Sequence, residues 1–179
     1  SFVDLCERRW PSTELPVVDA VALPESHEDV RALLDLADAR GWAVVPFGGG
    51  TSVVDGVHVT DRLTVGVAFW RMNQVHHLDP ETGEVLVGPG ITGPELERWL
   101  EARGFTWGHI PQSWERATVG GYAVTRSAGQ TSTGYGRADA TVTKLRVATP
   151  KADFALGKAP GTAAGPDLQQ VFLGSEGAF

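Results

Sequence analysis

The strongest constraint on the fold is a stretch in which an apolar run passes into three consecutive glycines, at residues 43–52. Ala43, Val44 and Val45 predict a β-strand, which Pro46 is expected to end. Glycines reach backbone conformations closed to other residues, so that successive N–H groups can converge on one point. Two hydroxyl side chains follow the glycines. The stretch therefore predicts either a cradle for a phosphate or pyrophosphate, or a tight loop between two core elements.

The flanking sequence places this loop in a β-α-β unit. Residues 16–24 form an apolar run between prolines and predict a strand. Ser26 has the character of a helix N-cap, with Asp29 as its capping-box partner, and Gly41 is the expected stop. Residues 63–70 predict the next strand. Ligand-binding loops in such units follow the carboxyl ends of strands, where the glycine loop is expected.

The rest of the chain predicts further elements and a second glycine-rich region. The expected elements are a hairpin at residues 75–78 and 84–87, a helix at about 94–103 capped by Thr92, a half-buried strand at 141–149, an exposed loop at 151–166 and a short helix from Asp167. In residues 108–129, hydroxyl side chains surround the pair Gly120 and Gly121. These hydroxyls could satisfy turns. Two such segments in one small domain favour a shared, large ligand instead.

Composition narrows the class of protein. The chain has 179 residues, 42% hydrophobic and 21% charged, as is ordinary for a globular protein. The net charge of −7 argues against a nucleic-acid partner, and any phosphate would be bound by backbone N–H groups rather than by lysines. Cys6 is the single cysteine, which favours a reducing, cytoplasmic compartment. Because the sequence begins at Ser1 without a methionine and stops abruptly at Phe179, we expect it to be a piece of a longer protein.

Two other nucleotide-binding motifs and a metal site are disfavoured. Residues 88–93 match the dinucleotide pattern G-x-G-x-x-G, but the helix after them is short and no buried strand with a ribose-binding acid follows. We interpret them as a turn into a structural helix, with a nicotinamide-dependent dehydrogenase as the alternative. A nucleoside-triphosphate loop is excluded because Thr51, rather than lysine, follows Gly50. His76 and His77 are expected on opposite faces of a strand, so no metal site is predicted.

Four motifs in one order carry a resemblance to a known family. They are residues 46–52, 111–121, 125–128 and 174–179. Their order resembles the FAD-binding domain of the vanillyl-alcohol oxidase (PCMH-type) flavoprotein family, and is most similar to its alkyldihydroxyacetonephosphate synthase and FAD-linked oxidase branch. The resemblance covers residues 16–179 and leaves residues 1–15 as an entry segment.

The resemblance implies an α+β fold of two lobes. A small parallel β-α-β lobe would span about residues 16–70, and a larger lobe with antiparallel strands about residues 71–179. FAD would lie between them, and a carboxyl-terminal cap domain that supplies the catalytic groups would follow this chain. No catalytic residue is therefore predicted here.

The resemblance also implies which residues bind FAD. They are Pro46, Phe47, Gly48, Gly49, Gly50, Thr51, Ser52, Pro111, Gln112, Ser113, Thr118, Gly120, Gly121, Thr125, Arg126, Ser127, Ala128, Glu176, Gly177 and Ala178. Many relatives attach the flavin through a histidine in the glycine loop. This loop has none, so we expect non-covalent FAD. Asp55 departs from a glycine of the family pattern and is expected to point to solvent. Arg126 is expected either to offer charge to the ligand or to pair with an acid such as Glu115, and His109 is interpreted as structural.

Besides the nicotinamide-dependent dehydrogenase named above, three functions remain open at this point. The first is FAD-dependent oxidation of a small substrate that carries a hydroxyl, such as a 2-hydroxy acid or an alcohol. The second is a redox-neutral exchange of acyl for alkyl on glycerone phosphate through a flavin adduct, and the third is a non-catalytic flavin-binding module. A small-molecule substrate is the expected partner. A homodimer is also considered, and membrane association is left open.

Overall fold

A three-stranded parallel sheet forms the amino-terminal part of the fold. The computed structural model describes residues 17–54, 56, 61–157 and 165–179. The strands β1 (Ala20–Ala22), β2 (Ala43–Phe47) and β3 (Thr64–Ala68) run parallel in the order β1-β3-β2, and β3 is buried along its whole length. Pro46 pairs with Val67 and lies inside β2, so the prediction that it ends the strand is wrong. The sheet tolerates it because β2 is an edge strand, where one missing N–H donor costs little.

The helix between β1 and β2 begins and ends as the sequence predicts. Helix α1 spans His27–Arg40. The Ser26 hydroxyl accepts a hydrogen bond from the Asp29 N–H, and the Asp29 carboxylate accepts one from the Ser26 N–H, which completes the capping box. Gly41 ends the helix in the left-handed conformation, with φ of 67°. These contacts fix the direction in which the chain enters β2 and the glycine loop.

A hairpin and a second capped helix follow, as predicted. Strands β4 (Val75–Leu78) and β5 (Val85–Val87) pair antiparallel. Helix α2 spans Gly93–Glu101, and Thr92 forms a capping box with Glu95. Its apolar face and the hairpin share one core cluster. The buried members of that cluster are Ile91, Leu96 and Leu100.

Short helices occupy places where the sequence predicted strand or irregular chain. The strand predicted at residues 63–70 stops at Ala68 and passes into a 3₁₀ turn, Phe69–Arg71. This turn brings the Trp70 ring edge-on to Phe47 at 6.2 Å, and the Trp70 indole N–H donates to the Gly48 carbonyl at 3.3 Å. The other short helices are α3 (Val119–Val124), α4 (Ser132–Tyr135), α5 (Ala138–Thr141) and α6 (Gln169–Phe172).

A second hairpin replaces most of a predicted loop. Strand β6 (Lys144–Ala148) pairs antiparallel with β7 (Asp153–Gly157) over five residue pairs. The prediction of an exposed loop at residues 151–166 is therefore wrong for β7. Its residues alternate between exposed and half-buried, a strand pattern that the Ala- and Gly-rich composition of the segment concealed.

This second hairpin lies against α1, on the amino-terminal part of the fold. Arg146 pairs with Glu28 at 3.1 Å, and Lys151 pairs with Asp38 at 2.9 Å. Such exposed ion pairs contribute little to stability, but they mark the contact between the two elements. The hairpin at residues 144–157 thus packs next to the β-α-β unit.

The glycines of the G-x-G-x-x-G match allow neighbouring parts of the fold to pack closely against the backbone. A Cβ at Gly88 or at Gly90 would overlap backbone of the turn after β3, at Met72 and Phe69 respectively. The Gly93 Cα faces the Trp114 ring, and a Cβ there would lie 2.6 Å from it. The interpretation of these residues as a structural turn is confirmed.

Other predictions concern residues outside the described part of the chain, membrane-spanning helices and metal sites. Cys6, Asp55 and the entry segment at residues 1–15 lie outside the described residues. Across the described part of the chain, no helix is long and apolar enough to cross a membrane. No group of three or more His, Cys, Asp or Glu side chains within those same residues could hold a metal ion, and His76 and His77 are both exposed.

Candidate functional site

A cleft of about 370 Å³ lies where the glycine loop after β2 faces helix α3. Most of the predicted cofactor-binding residues line it. These are Pro46, Gly48, Gly49, Gly50, Thr51, Ser52, Pro111, Gln112, Ser113, Thr118, Gly121, Thr125, Ser127, Ala128 and Glu176. Residues from three separate stretches of sequence therefore meet around one space, as the resemblance implies.

The backbone of the glycine loop supplies the most distinctive feature of the cleft. The N–H groups of residues 48–52 donate no hydrogen bond to any other described residue. Backbone N–H groups are strong donors, so a run of them without a partner among the described residues could donate to an anionic or acceptor-rich ligand. The Ser52 hydroxyl is engaged differently, because it accepts from the N–H groups of Val54 at 3.3 Å and Gly56 at 3.1 Å.

Close packing holds this loop against the turn that precedes α3. A Cβ at Gly49 would overlap the Arg116 carbonyl oxygen and would lie 2.9 Å from the Ala117 Cα. A Cβ at Gly48 would lie 2.6 Å from the Thr118 hydroxyl. Gly50 has φ of 64°, a conformation that side chains other than glycine rarely adopt. The three glycines are therefore needed to bring the two walls of the cleft together.

Hydroxyl groups form the opposite wall. Thr118 caps α3, and its Oγ1 accepts from the Gly121 N–H at 3.3 Å. The Thr125 hydroxyl donates to the Gly121 carbonyl at 2.9 Å. Among the described residues that line the cleft, none is a lysine or arginine, and Glu176 is the one acidic residue. An anionic ligand would thus be held by backbone N–H groups and hydroxyls, as the net charge predicts.

Arg126 is not among the described residues that line the cleft, and of its two predicted roles its contacts show the pairing with an acid. Its Nε donates to the Leu173 carbonyl at 3.0 Å, and its Nη1 lies 3.3 Å from the Asp139 carboxylate. The acid that it pairs with is Asp139 rather than Glu115. Burial would raise the pKa of Asp139, but hydrogen bonds and charge from Arg137, with the charge of Arg126, hold it below its usual value.

Arg126 instead ties the last segment of the chain to α3. Its Nη2 donates to the Gln170 carbonyl at 3.1 Å. Further along the chain, the Glu176 N–H donates to the Val124 carbonyl at 2.9 Å, which places Glu176 at the cleft. Arg126 has φ of 49° and Glu176 φ of 56°, so both ends of this connection sit in the left-handed region.

Four other predicted residues also lie outside the lining. Phe47 packs against Trp70 and lies beside Gly50. A Cβ at Gly120 would lie 2.8 Å from the Pro89 side chain, and one at Gly177 would lie 2.8 Å from that of Pro46. Ala178 faces a different groove, next to Phe172 and Phe179. These positions support the walls of the cleft rather than its surface.

The lining also includes residues that the sequence did not single out. They are Val53, Val54, Gly56, Ala117, Tyr122 and Val124. Tyr122 and Val124 lie on α3, a helix that the glycine-rich sequence did not predict. The sequence signal that could have identified this helix is the spacing of three to four residues between Thr118, Tyr122 and Thr125, which places them on one helix face. No sequence signal marked Val53 and Val54.

A buried histidine and tyrosine lie behind the hydroxyl wall. His109 is 2% exposed, and its Nε2 lies 3.1 Å from the Ser127 Oγ. Its ring packs edge-on against Tyr122, with centroids 4.9 Å apart. Burial lowers the pKa of His109 and raises that of Tyr122 to about 12. Both rings are therefore neutral near pH 7.

Comparison with known proteins assigns the sequence to a family. The sequence matches the family described as FAD binding domain over residues 18–154. It is 37% identical over 167 residues to alkyldihydroxyacetonephosphate synthase of Trypanosoma brucei brucei, which covers 90% of this chain and 27% of that protein. It is 32% identical over 165 residues to mitochondrial D-lactate dehydrogenase (cytochrome) of Arabidopsis thaliana, which covers 91% of this chain and 29% of that protein.

A solved structure of an alkyldihydroxyacetonephosphate synthase matches with a TM-score of 0.81 and 35% sequence identity. The match covers 88% of this chain and 29% of that chain. It confirms the predicted α+β fold of a PCMH-type FAD-binding domain. The chain spans less than a third of the length of each of these three relatives.

Proposed function

We propose, because this chain belongs to the FAD-binding domain family, that it is the cofactor-binding part of a flavin-dependent oxidoreductase. Its cofactor is FAD. The substrate that we propose is a small molecule bearing a hydroxyl, such as a 2-hydroxy acid or an alcohol. The substrate-binding and acid–base groups would lie in a carboxyl-terminal part of the protein.

The single observation that carries this proposal is that residues 48–52 line a cleft with several hydroxyl side chains, while their N–H groups donate to no other described residue. These groups fit a pyrophosphate, whose oxygens accept several hydrogen bonds at once. The hydroxyls of Ser113 and Thr118 would donate to further acceptors of the cofactor, whereas the Thr125 hydroxyl already donates to the Gly121 carbonyl. When bound, FAD supplies the redox chemistry, and this chain holds and orients it.

The charge of the cleft sets how the cofactor would bind. Because no Lys or Arg is among its described lining residues, affinity would come from directional hydrogen bonds. Binding would then depend only weakly on salt, since screening acts mainly on exposed, separated charges. Salt dependence is thus a simple observable that separates this site from a basic phosphate-binding patch.

We propose that the FAD is dissociable. The glycine loop carries no histidine, and the buried His109 is engaged with Ser127. The cofactor would lie between a small lobe of about residues 16–70 and a larger lobe of about residues 71–179. A cytoplasmic location and a homodimer are further proposals, which rest on the single cysteine and on the family resemblance respectively.

The names of the relatives support two substrate classes. One relative is named D-lactate dehydrogenase and another D-2-hydroxyglutarate dehydrogenase, and both names denote oxidation of a 2-hydroxy acid. The second candidate is an alkylglycerone-phosphate synthase. It is favoured by the 37% identity to the trypanosomal synthase and by the likeness to a solved synthase structure.

One experiment separates these candidates. The FAD-loaded full-length protein, which includes its carboxyl-terminal part, is mixed without oxygen with a panel of 2-hydroxy acids and alcohols, and the flavin absorbance is followed. Bleaching by one of them supports the oxidoreductase proposal. If no member of the panel bleaches the flavin while the protein exchanges an acyl chain for a long-chain alcohol on glycerone phosphate, the synthase is supported instead. FAD binding with neither activity would support a non-catalytic flavin-binding module.

A further inference from the structure

His109 is a buried polar side chain with a defined partner at the cleft. It is 2% exposed and packs against the rings of Trp107 and Tyr122, with centroids 5.1 Å and 4.9 Å away. Its Nε2 lies 3.1 Å from the Ser127 Oγ. Its other ring nitrogen, Nδ1, is buried and has no hydrogen-bond partner among the described residues.

This difference between the two ring nitrogens determines the position of the proton. A neutral imidazole carries one N–H and one bare nitrogen. A buried N–H without an acceptor is rarer in proteins than a buried acceptor without a donor. This preference favours the tautomer with the proton on Nε2 and with Nδ1 bare. Burial lowers the pKa of His109, so the ring stays in this neutral form near pH 7.

The position of the proton sets the direction of the bond to Ser127. With the proton on Nε2, His109 donates and the Ser127 oxygen accepts. The hydroxyl proton of Ser127 then remains free for another acceptor. With the proton on Nδ1, Ser127 would have to donate to Nε2, and it could offer only lone pairs to a ligand.

Ser127 is held where its free hydroxyl proton is useful. Its backbone N–H donates to the Tyr122 carbonyl at 2.9 Å, and its carbonyl accepts from the Ala138 N–H at 3.0 Å. The residue lines the cleft. We propose that His109 is a positioning residue that orients the Ser127 hydroxyl as a hydrogen-bond donor to an acceptor atom of bound FAD. This inference rests on the proposed function, because it takes FAD as the ligand of the cleft.

The position of the proton can be measured without cofactor. NMR of protein labelled with nitrogen isotope in its histidines distinguishes a protonated ring nitrogen from a bare one, and His109→Gln identifies the signals by their loss. We expect a neutral ring with the proton on Nε2 near pH 7. A proton on Nδ1, or a doubly protonated ring, would overturn the proposal.

The effect on the cofactor is tested with a double-mutant cycle in FAD affinity. Ser127→Ala removes the donor, and His109→Leu removes the group that orients it. We expect each to weaken FAD binding about fivefold to tenfold, and the double variant to be no weaker than either alone, because both changes delete one hydrogen bond. Independent, multiplying losses would show that His109 does not act through Ser127.

A conservative variant separates orientation from packing. The side-chain nitrogen of His109→Gln can take the place of Nε2 and donate to Ser127, so this variant should retain near-wild-type FAD affinity even if it melts at a lower temperature. His109→Asn places its nitrogen near the position of Nδ1 and should bind FAD as weakly as His109→Leu. Equal losses for Gln and Asn would contradict a positioning role. If the wild-type protein itself fails to bind FAD, the proposed function fails, whereas wild-type affinity in Ser127→Ala overturns only this inference.

Discussion

Replacing Gly49 by alanine should open the cleft and weaken cofactor binding. The added Cβ would overlap the Arg116 carbonyl oxygen and would lie 2.6 Å from its carbonyl carbon, whereas ordinary contacts are 3.4–4 Å. Both obstacles are backbone atoms, so no side-chain rotation relieves the clash. The added Cβ would lie 2.0 Å from the Arg116 oxygen, so the glycine loop and the turn before α3 have to separate by about 1.4 Å to restore normal contact.

Overpacking should lower the stability of the protein, and displacement of the loop N–H donors should lower its affinity for FAD. Overpacking of this kind destabilises by about 1–3 kcal/mol. For a domain of this size, that lowers the melting temperature by about 2–4 °C per kcal/mol. Losing one hydrogen bond to a charged pyrophosphate would in addition weaken FAD binding about tenfold or more. The assay is thermal unfolding, together with titration of FAD into the purified protein.

Gly134→Ala is the matched control. Gly134 lies in α4 and is exposed, and a Cβ added there would have no other atom within 4 Å. Alanine at this position should leave FAD affinity unchanged and raise helix stability by at most about 1 kcal/mol. Wild-type stability in Gly49→Ala would refute the packing argument. Lower stability with unchanged FAD affinity would refute the assignment of the loop as the cofactor cradle.

Three further changes test separate parts of the structure. Asp139→Asn removes the charge that Arg126 pairs with and should destabilise the protein by about 1–3 kcal/mol in chemical unfolding; unchanged stability would show that this pair does not secure the final segment. Ser26→Ala deletes the cap of α1 and should lower stability by about 1 kcal/mol without changing FAD affinity, whereas a changed affinity would contradict its purely structural role. Because the pKa of His109 is lowered from 6.5, the unfolded chain takes up this proton first, so stability should fall as the pH drops below about 6.5. His109→Gln should lack this part of the pH dependence, and identical pH profiles for variant and wild type would contradict the burial argument.

The sequence predicted those elements whose ends are set by local chemistry. Ser26, Gly41 and Thr92 satisfy or terminate helix backbone groups within a few residues of themselves, so their roles follow from short-range pattern alone. The glycine loop was found in the same way, because three glycines after a strand leave few local alternatives. The family resemblance then brought the distant motifs together.

The errors arose where long-range packing overrides local composition. Strand β7 has an Ala- and Gly-containing sequence and is defined by its pairing with β6. Pro46 stays in β2 because the strand lies at the edge of the sheet, which the local sequence does not reveal. Arg126 pairs with an acid, as one of its two predicted roles has it, but the acid is Asp139 rather than Glu115. Each outcome depends on a neighbour that is distant in sequence.

The most direct test of the central claim is an absorbance spectrum of the purified protein supplied with FAD, followed by acid precipitation and a second spectrum of the supernatant. We predict flavin bands in the protein that move entirely into the supernatant, because in this account the cofactor would be held by backbone N–H groups and hydroxyls rather than by a covalent bond. Flavin retained in the precipitate would contradict non-covalent binding. A protein that takes up no FAD would contradict the assignment of the cleft itself.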